Sequence, residues 1–270
     1  MTPAFGERVC IARETRLAFN PTIVWGDISM AESFSAVYAR LQAAQKGRAR
    51  GAPAYSVYVN RPLGRVFATV AYRAGLTPNQ VTGVSALFTF SGIALVALAP
   101  VSPATGIGVW LLLAVGYAWD SADGQVARLR GGGSLAGEWL DHFVDALKIS
   151  SLHIAILIGL ARTGEIAEVW MLVPLMFTII ANVSFFGMIL NDLLRAKKGV
   201  AAAAAAGGGS FWRSIVKLPT DYGLLCLVMV LWAWPAAFLA AYTAIAVANA
   251  LFLALAAVSW FRSVRALDEL

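Results

Sequence analysis

The 270-residue sequence predicts an all-α integral membrane protein. It should have six transmembrane helices, an N-terminal amphipathic juxtamembrane helix, and both termini in the cytoplasm. Three observations predict this. Hydrophobic residues make up 59% of the chain and charged residues only 13%, with a mean hydropathy of +0.71. Soluble domains carry about 25% charged residues, so this composition argues against a water-soluble globular enzyme, and its apolar content excludes disorder. Uncharged stretches recur, several close to the roughly 20 residues that cross a bilayer as a helix. The net charge of +6 is distributed very unevenly, which in so apolar a chain marks one membrane face and not a nucleic-acid surface.

Residues 1–54 read as an N-terminal cytoplasmic extension. They hold no apolar run behind a basic start, so insertion is expected to use the internal helices. Ser29-Met30-Ala31-Glu32 has the form of a capping box, and Phe34, Val37, Tyr38 and Leu41 follow at helical spacing. Residues 55–76 form the juxtamembrane helix: Leu63, Val66, Phe67 and Val70 share one stripe, with Arg61, Arg65 and Arg73 on other faces. A basic amphipathic helix of this kind suits the membrane interface.

Residues 77–265 form the six-helix domain. The first span, 81–99, opens on Thr77-Pro78-Asn79, a cap residue followed by proline at the first helical position. The second covers 107–119 and runs into Asp120, the third covers 149–160 behind a charged stretch, and the fourth covers 169–190 with Pro174 inside it. Residues 222–261 are uncharged throughout and too long for one helix, and Trp234-Pro235 divides them into the fifth and sixth spans. Ten of the 21 basic residues precede the first span. Arg128 and Arg130 lie between spans two and three, and Arg195, Lys197, Lys198, Arg213 and Lys217 between four and five. The opposite loops hold only Arg162, which places both termini in the cytoplasm. Cys10 and Cys226 make neither a disulfide framework nor a metal motif. The run 201–209 reads as a flexible linker or a frayed helix end.

Ionisable groups within spans are costly and point to function. Asp120, Asp123, Glu138, Asp141 and Asp145 are five of only 15 acidic residues, all in one window at the cytoplasmic ends of spans two and three. Spacings of three and four put Asp120 with Asp123, and Asp141 with Asp145, on shared helical faces. Gly131-Gly132-Gly133-Ser134 should let the two helices pack as an antiparallel pair, so that four carboxylates converge. Convergent carboxylates repel, and a divalent cation relieves the repulsion. Oxygen-only ligands suit Mg²⁺ or Mn²⁺, and four can hold two ions roughly 4 Å apart for phosphoryl transfer. Gly124, Ala127 and Gly137 leave clearance, and Arg128 can fork onto a phosphate.

Asp120-x-x-Asp123-Gly124-x-x-Ala127-Arg128, then eight residues, then Gly137-x-x-x-Asp141-x-x-x-Asp145 resembles the complete signature of the CDP-alcohol phosphotransferase family. Thr77-Pro78-Asn79 resembles family members as well, and the likeness extends over roughly residues 55–265. The resemblance implies a membrane enzyme of phospholipid biosynthesis, acting as a homodimer. A CDP-linked donor binds through its pyrophosphate, an alcohol hydroxyl attacks the β-phosphorus, and CMP leaves. It further implies Asp120, Asp123, Asp141 and Asp145 as ligands of two Mg²⁺ ions, and Asp145 as base for the acceptor. Gly124, Ala127, Gly137 and Asn79 would lie against the nucleotide, and Arg128 would hold phosphate.

Two branches remain open. Glu138 with His142 resembles choline and ethanolamine phosphotransferases, where such a pair is linked to activation of diacylglycerol's hydroxyl. Val126, Leu129 and the chain's shorter length depart from that branch. The other branch attacks CDP-diacylglycerol with inositol phosphate, glycerol phosphate or serine. The basic residues between spans four and five could then read a head group, or simply follow the positive-inside rule and anionic lipid. Outside the family, an ion or solute transporter would also use buried carboxylates, but such sites favour broken helices at the midplane. A prenyl-diphosphate synthase has a different aspartate motif, and a purely structural protein leaves the acids without a task. His153 reads as a hydrogen-bonded packing residue, Lys148 as a partner of Asp145 or a snorkelling group, and Asn182 as an interhelical bond.

Overall fold

The computed structural model describes residues 32–44, 53–200 and 217–268. Among these the chain is helical, without strands. Helix α1, Phe34–Ala43, is capped by Ser33, whose hydroxyl accepts from Ala36 N. Ser29 to Ala31 of the expected capping box lie outside the described residues, and Glu32 pairs with Arg40. A π-turn, Ser56–Asn60, leads into α2, Arg61–Arg73, which lies within the 55–76 segment expected to be helical. Gly64 lets α2 approach the next-but-one helix, because a Cβ there would fall 2.8 Å from Cβ of Ser121.

Helix α3, Pro78–Leu98, starts with a reciprocal cap: Gln80 N donates to Thr77 Oγ1, and Thr77 N donates to the Gln80 side chain. Helix α4, Pro103–Leu129, is capped by Ser102, and α5, Leu135–Thr163, by Ser134. Gly131 (φ 91°) and Gly132 (φ 133°) form the link between them with dihedrals that L side chains rarely adopt. A 3-10 turn, Glu168–Met171, precedes α6, Leu172–Lys197. Pro174 therefore sits in the first turn, where its missing N–H costs no helical bond. Helix α7, Tyr222–Val228, tightens into a 3-10 turn, Met229–Ala233, and α8, Pro235–Asp268, follows the expected break. Trp234 is pushed out of helical geometry by the proline after it.

Among the described residues, four helices are long and apolar enough to cross a membrane: α3, α5, α6 with its preceding turn, and α8. Helix α4 has 27 residues but ends in its acidic stretch. The fifth expected span is a shorter apolar helix, Tyr222–Ala233. Helix α3 packs along both α4 and α5, whereas α4 and α5 do not run in close contact with each other. The glycine link reverses the chain as expected, but the two acidic helices meet through their side chains, Lys148 joining Asp120 to Asp145, while α3 supplies the close backbone packing.

The main core joins Val96, Leu113, Ile156, Trp232, Phe238 and Tyr242 across α3, α4, α5, the 3-10 turn Met229–Ala233 and α8. His153 bonds Tyr242 Oη at 2.7 Å and stacks on Phe177, as expected of a packing residue. Asn182 accepts from Ser150 at 2.9 Å and ties α6 to α5. Asp221, 3% exposed, caps α7 and also accepts from Ser56 N at 2.9 Å, fastening the π-turn before α2 to α7.

The α3–α4 crossing depends on Gly116. A Cβ there would lie 2.2 Å from Thr89 Oγ1 and 3.0 Å from Thr89 N. Small residues allow this kind of close backbone approach in membranes. Gly116→Val is expected to cost about 3 kcal/mol, the upper end for overpacking. Thermal unfolding in detergent checks this, and an unchanged midpoint would contradict the crossing.

Candidate active site

The acidic residues come from two helices and are backed by a third. Asp120 and Asp123 lie near the C-terminal end of α4, and Asp141 and Asp145 in the first turns of α5. One carboxylate oxygen each from Asp120, Asp141 and Asp145 lie within 4.8 Å of one another. Oxygens that share one Mg²⁺ at about 2.1 Å stand up to roughly 4.2 Å apart, so a slight contraction of this trio fits the ion. The donor set, carboxylate oxygen without sulfur or imidazole, is that of a hard cation.

Asp123 stands beside the trio. It is 9% exposed, accepts from Thr82 Oγ1 of α3 at 2.8 Å, and accepts from Gly124 N. Thr82 and Ser85 make α3 the backing of the site. Ser85 Oγ donates to Gly116 O at 2.9 Å and stands 3.4 Å from Asp120 Oδ1. Lys148, one turn beyond Asp145, pairs with it at 3.2 Å and also pairs with Asp120. Its Nζ lies 3.2 Å from Ser85 Oγ as well. One buried ammonium thus joins the acids of both helices. The expected Asp145 partner is present, and the Asp120 contact adds to it.

A cavity of about 720 Å³ opens beside the acids. Asn79, Gly124, Ala127, Arg128 and Gly137 all line it, with Asp123, Glu138 and Asp141. At Gly124 an added Cβ would meet only Arg128 Nη1, at 3.7 Å, whereas at Gly137 it would press on Asn79 Oδ1 at 3.1 Å. Gly137 therefore keeps the α3 and α5 walls close, while Gly124 leaves open space. The volume suits a ligand of nucleotide size. A second cavity, of about 250 Å³, lies on another side of Asp120, Asp123 and Arg128 and is bounded by Arg61 of α2.

Glu138 and His142 are less closely joined. Glu138 is exposed and lines the large cavity. His142 meets the edge of Phe185 on α6, with ring centroids 6.2 Å apart. No hydrogen bond links the two side chains among the described residues. Of the basic group between the fourth and fifth expected spans, Arg195 donates to Ser263 at 2.9 Å and Lys217 lies over the Phe252 ring. Arg213 lies outside the described residues. Thr82, Ser85, Lys148 and Arg61 complete the site, although only Lys148 had an acidic partner visible in its spacing.

This is a membrane site in which carboxylates from two helices face a nucleotide-sized cavity. A profile of the CDP-alcohol phosphatidyltransferase family matches residues 75–259, and the chain belongs to that family. It is 36% identical over 101 residues to an archaetidylinositol phosphate synthase of Pyrococcus horikoshii, a match covering 37% of this chain and 50% of that protein. The chain thus matches about half the length of this relative. A phosphatidylinositol phosphate synthase of Mycobacterium tuberculosis, crystallised with manganese and citrate, superposes with a TM-score of 0.48 at 20% identity. That superposition covers 76% of this chain and 88% of the other. The same enzyme with CDP-DAG bound gives a TM-score of 0.46 at 21% identity, covering 76% and 93%.

Proposed function

We propose that this protein is a Mg²⁺-dependent transferase that moves a substituted phosphate from a CDP-linked lipid to the hydroxyl of a polar alcohol, releasing CMP. The observation that carries the reading is the single cavity that gathers Asn79, Gly124, Ala127, Arg128 and Gly137 against Asp123 and Asp141. Mn²⁺ suits the same ligands, and two ions match four carboxylates. Asp120, Asp123, Asp141 and Asp145 would hold the metal, which when bound neutralises phosphoryl oxygens.

The chain's own groups account for the rest. Gly124 leaves room for the nucleotide, and the Arg128 fork holds a phosphate oxygen. Asp145 takes the proton of the attacking hydroxyl. A bond forms from that oxygen to the donor's β-phosphorus, the bond to the CMP oxygen breaks, and CMP leaves with the electron pair. The basic asymmetry of the loops supports placing the site and both termini on the cytoplasmic side.

A polar acceptor is supported by the relative that makes archaetidylinositol phosphate, and by Glu138 and His142 standing without a mutual hydrogen bond. His142→Ala is then expected to change turnover less than about threefold. A loss above about 100-fold, the scale of a general base, would favour a diacylglycerol-like acceptor. Purified protein with Mg²⁺, a panel of CDP-alcohols and a panel of acceptors provides the main test. CMP should appear only with a matched pair, and mass spectrometry names the lipid. No CMP across the panel would sink the reading in favour of transport.

A further inference from the structure

Helix α1 lies outside the residues that the family profile matches, 75–259, yet it is built into the part of the molecule that carries the site. Leu41 of α1 is 2% exposed. It joins Ala68 and Ala71 of α2, Val81 of α3, and Ala122 and Val126 of α4 in a second core, separate from the main one. The other buried members are alanines and valines, so Leu41 is the largest buried side chain there. Ala122 and Val126 stand next in the chain to Asp123 and Ala127, which line the large cavity. A second contact reaches the rim of that cavity. Arg40 of α1 lies over the Tyr72 ring, 5.7 Å from its centroid, and Arg130 at the end of α4 lies over the same ring at 5.6 Å. Glu32 pairs with Arg40 at 2.6 Å. Arg130 Nη2 donates to Leu76 O at 2.9 Å. Leu76 precedes Thr77, and Thr77, Pro78 and Asn79 at the start of α3 line the cavity together with Arg130.

We propose that α1 is a positioning element for the donor cavity, acting through Tyr72 and Arg130. A cation is drawn to the face of an aromatic ring, and here one ring holds two, one from α1 and one from the cavity rim. Docking of α1 steadies Tyr72, Tyr72 steadies the Arg130 guanidinium, and Arg130 ties the end of α4 to the backbone just before α3. The opening between Thr77–Asn79 and α4 is thereby kept at one width before any ligand arrives. Preorganisation of this kind lowers the ordering cost of binding, so its loss weakens donor binding more than it slows the chemical step. The carboxylates are held by other contacts, those of Thr82, Ser85 and Lys148, and do not depend on the ring. Tyr72, Arg40 and Arg130 are positioning residues in this scheme. The CDP-linked identity of the ligand rests on the transferase reading above, whereas the coupling of α1 to the rim does not.

The test compares Tyr72→Leu, Tyr72→Phe and Arg40→Gln in the full chain, by steady-state kinetics with a CDP-lipid and its matched alcohol, and by amide hydrogen exchange over residues 76–82. Tyr72→Leu removes the ring and keeps an apolar side chain. It should raise the donor KM by about 5- to 20-fold, the scale of two lost cation–π contacts, with kcat and the acceptor KM within about twofold. Exchange over 76–82 should quicken at least about fivefold, because the rim opens more often. Tyr72→Phe keeps the ring face and should restore both readouts to within about twofold of wild type. Arg40→Gln, an exposed change on α1, should move both in the same direction as Tyr72→Leu and by less. A fall in kcat with the donor KM unchanged would show that the ring only supports the fold and would overturn the proposal. Unchanged exchange in Tyr72→Leu, or wild-type behaviour of Arg40→Gln in both readouts, would also overturn it. If wild type releases no CMP with any donor while Tyr72→Leu and Arg40→Gln still quicken exchange at the rim, the transferase reading fails and the coupling stands.

Discussion

Asp145→Asn is expected to abolish turnover while leaving the helices packed. Asparagine keeps the shape of the side chain, so the contact with Lys148, 3.2 Å in this structure, loses charge and not volume. Two functions disappear together. The cluster of Asp120, Asp141 and Asp145 drops from three carboxylates to two, and the proposed base for the acceptor's hydroxyl is gone. Loss of a positioned base alone removes about 10²- to 10⁴-fold in rate. CMP release should therefore fall by at least about 10³-fold, and Mn²⁺ affinity, read by electron paramagnetic resonance, should fall with it. Near-normal CMP release from the variant would show that the base has been assigned to the wrong residue.

Lys148→Met is the second large effect, and it acts on stability before chemistry. The Lys148 side chain is 9% exposed, against 24% and 27% for Asp120 and Asp145. Removing one partner of a buried ion pair strands the other charge, at a cost of about 3–5 kcal/mol. Here one ammonium serves two carboxylates on different helices, so both are stranded. In chelator the thermal midpoint should fall by on the order of 10 °C. Mn²⁺ should restore most of that loss, because a cation that binds the folded state stabilises it by mass action. Equal midpoints for variant and wild type in chelator would show that the ammonium does not hold the two helices together.

The acidic centre was legible in the sequence because its information is local. Spacings of three and four residues place acids on helical faces, and the glycines beside them mark clearance. Gly124, Ala127, Arg128 and Gly137 lie close together in the chain and Asn79 well before them, and the structure sets all five on one cavity. The partners that cross between helices were not legible. A threonine or serine in an apolar helix carries no signal of its own, so Thr82 and Ser85 became visible only once α3 lay against α4. Lys148 showed its neighbour Asp145 by spacing, but its bond to Asp120 spans 28 residues. The part played by α3 between α4 and α5 was hidden for the same reason, since a short link says the chain reverses but not which helix packs against both. The fifth expected span ends at the Trp234-Pro235 break as expected, but composition could not register that its last turn tightens into a 3-10 turn.

Helix α3 also sets a depth. Its 21 residues rise about 31 Å at roughly 1.5 Å each, close to the thickness of the oily layer of a bilayer. Thr82 and Ser85, which touch Asp123 and Asp120, stand about 6 and 10 Å beyond its first residue by the same rise. With the first residue of α3 at the water boundary, the carboxylates would sit one to two turns beneath it. In the proposed reaction, a phosphate carried on a lipid would reach that level with its tails still immersed, whereas a water-borne alcohol would have to descend to meet it.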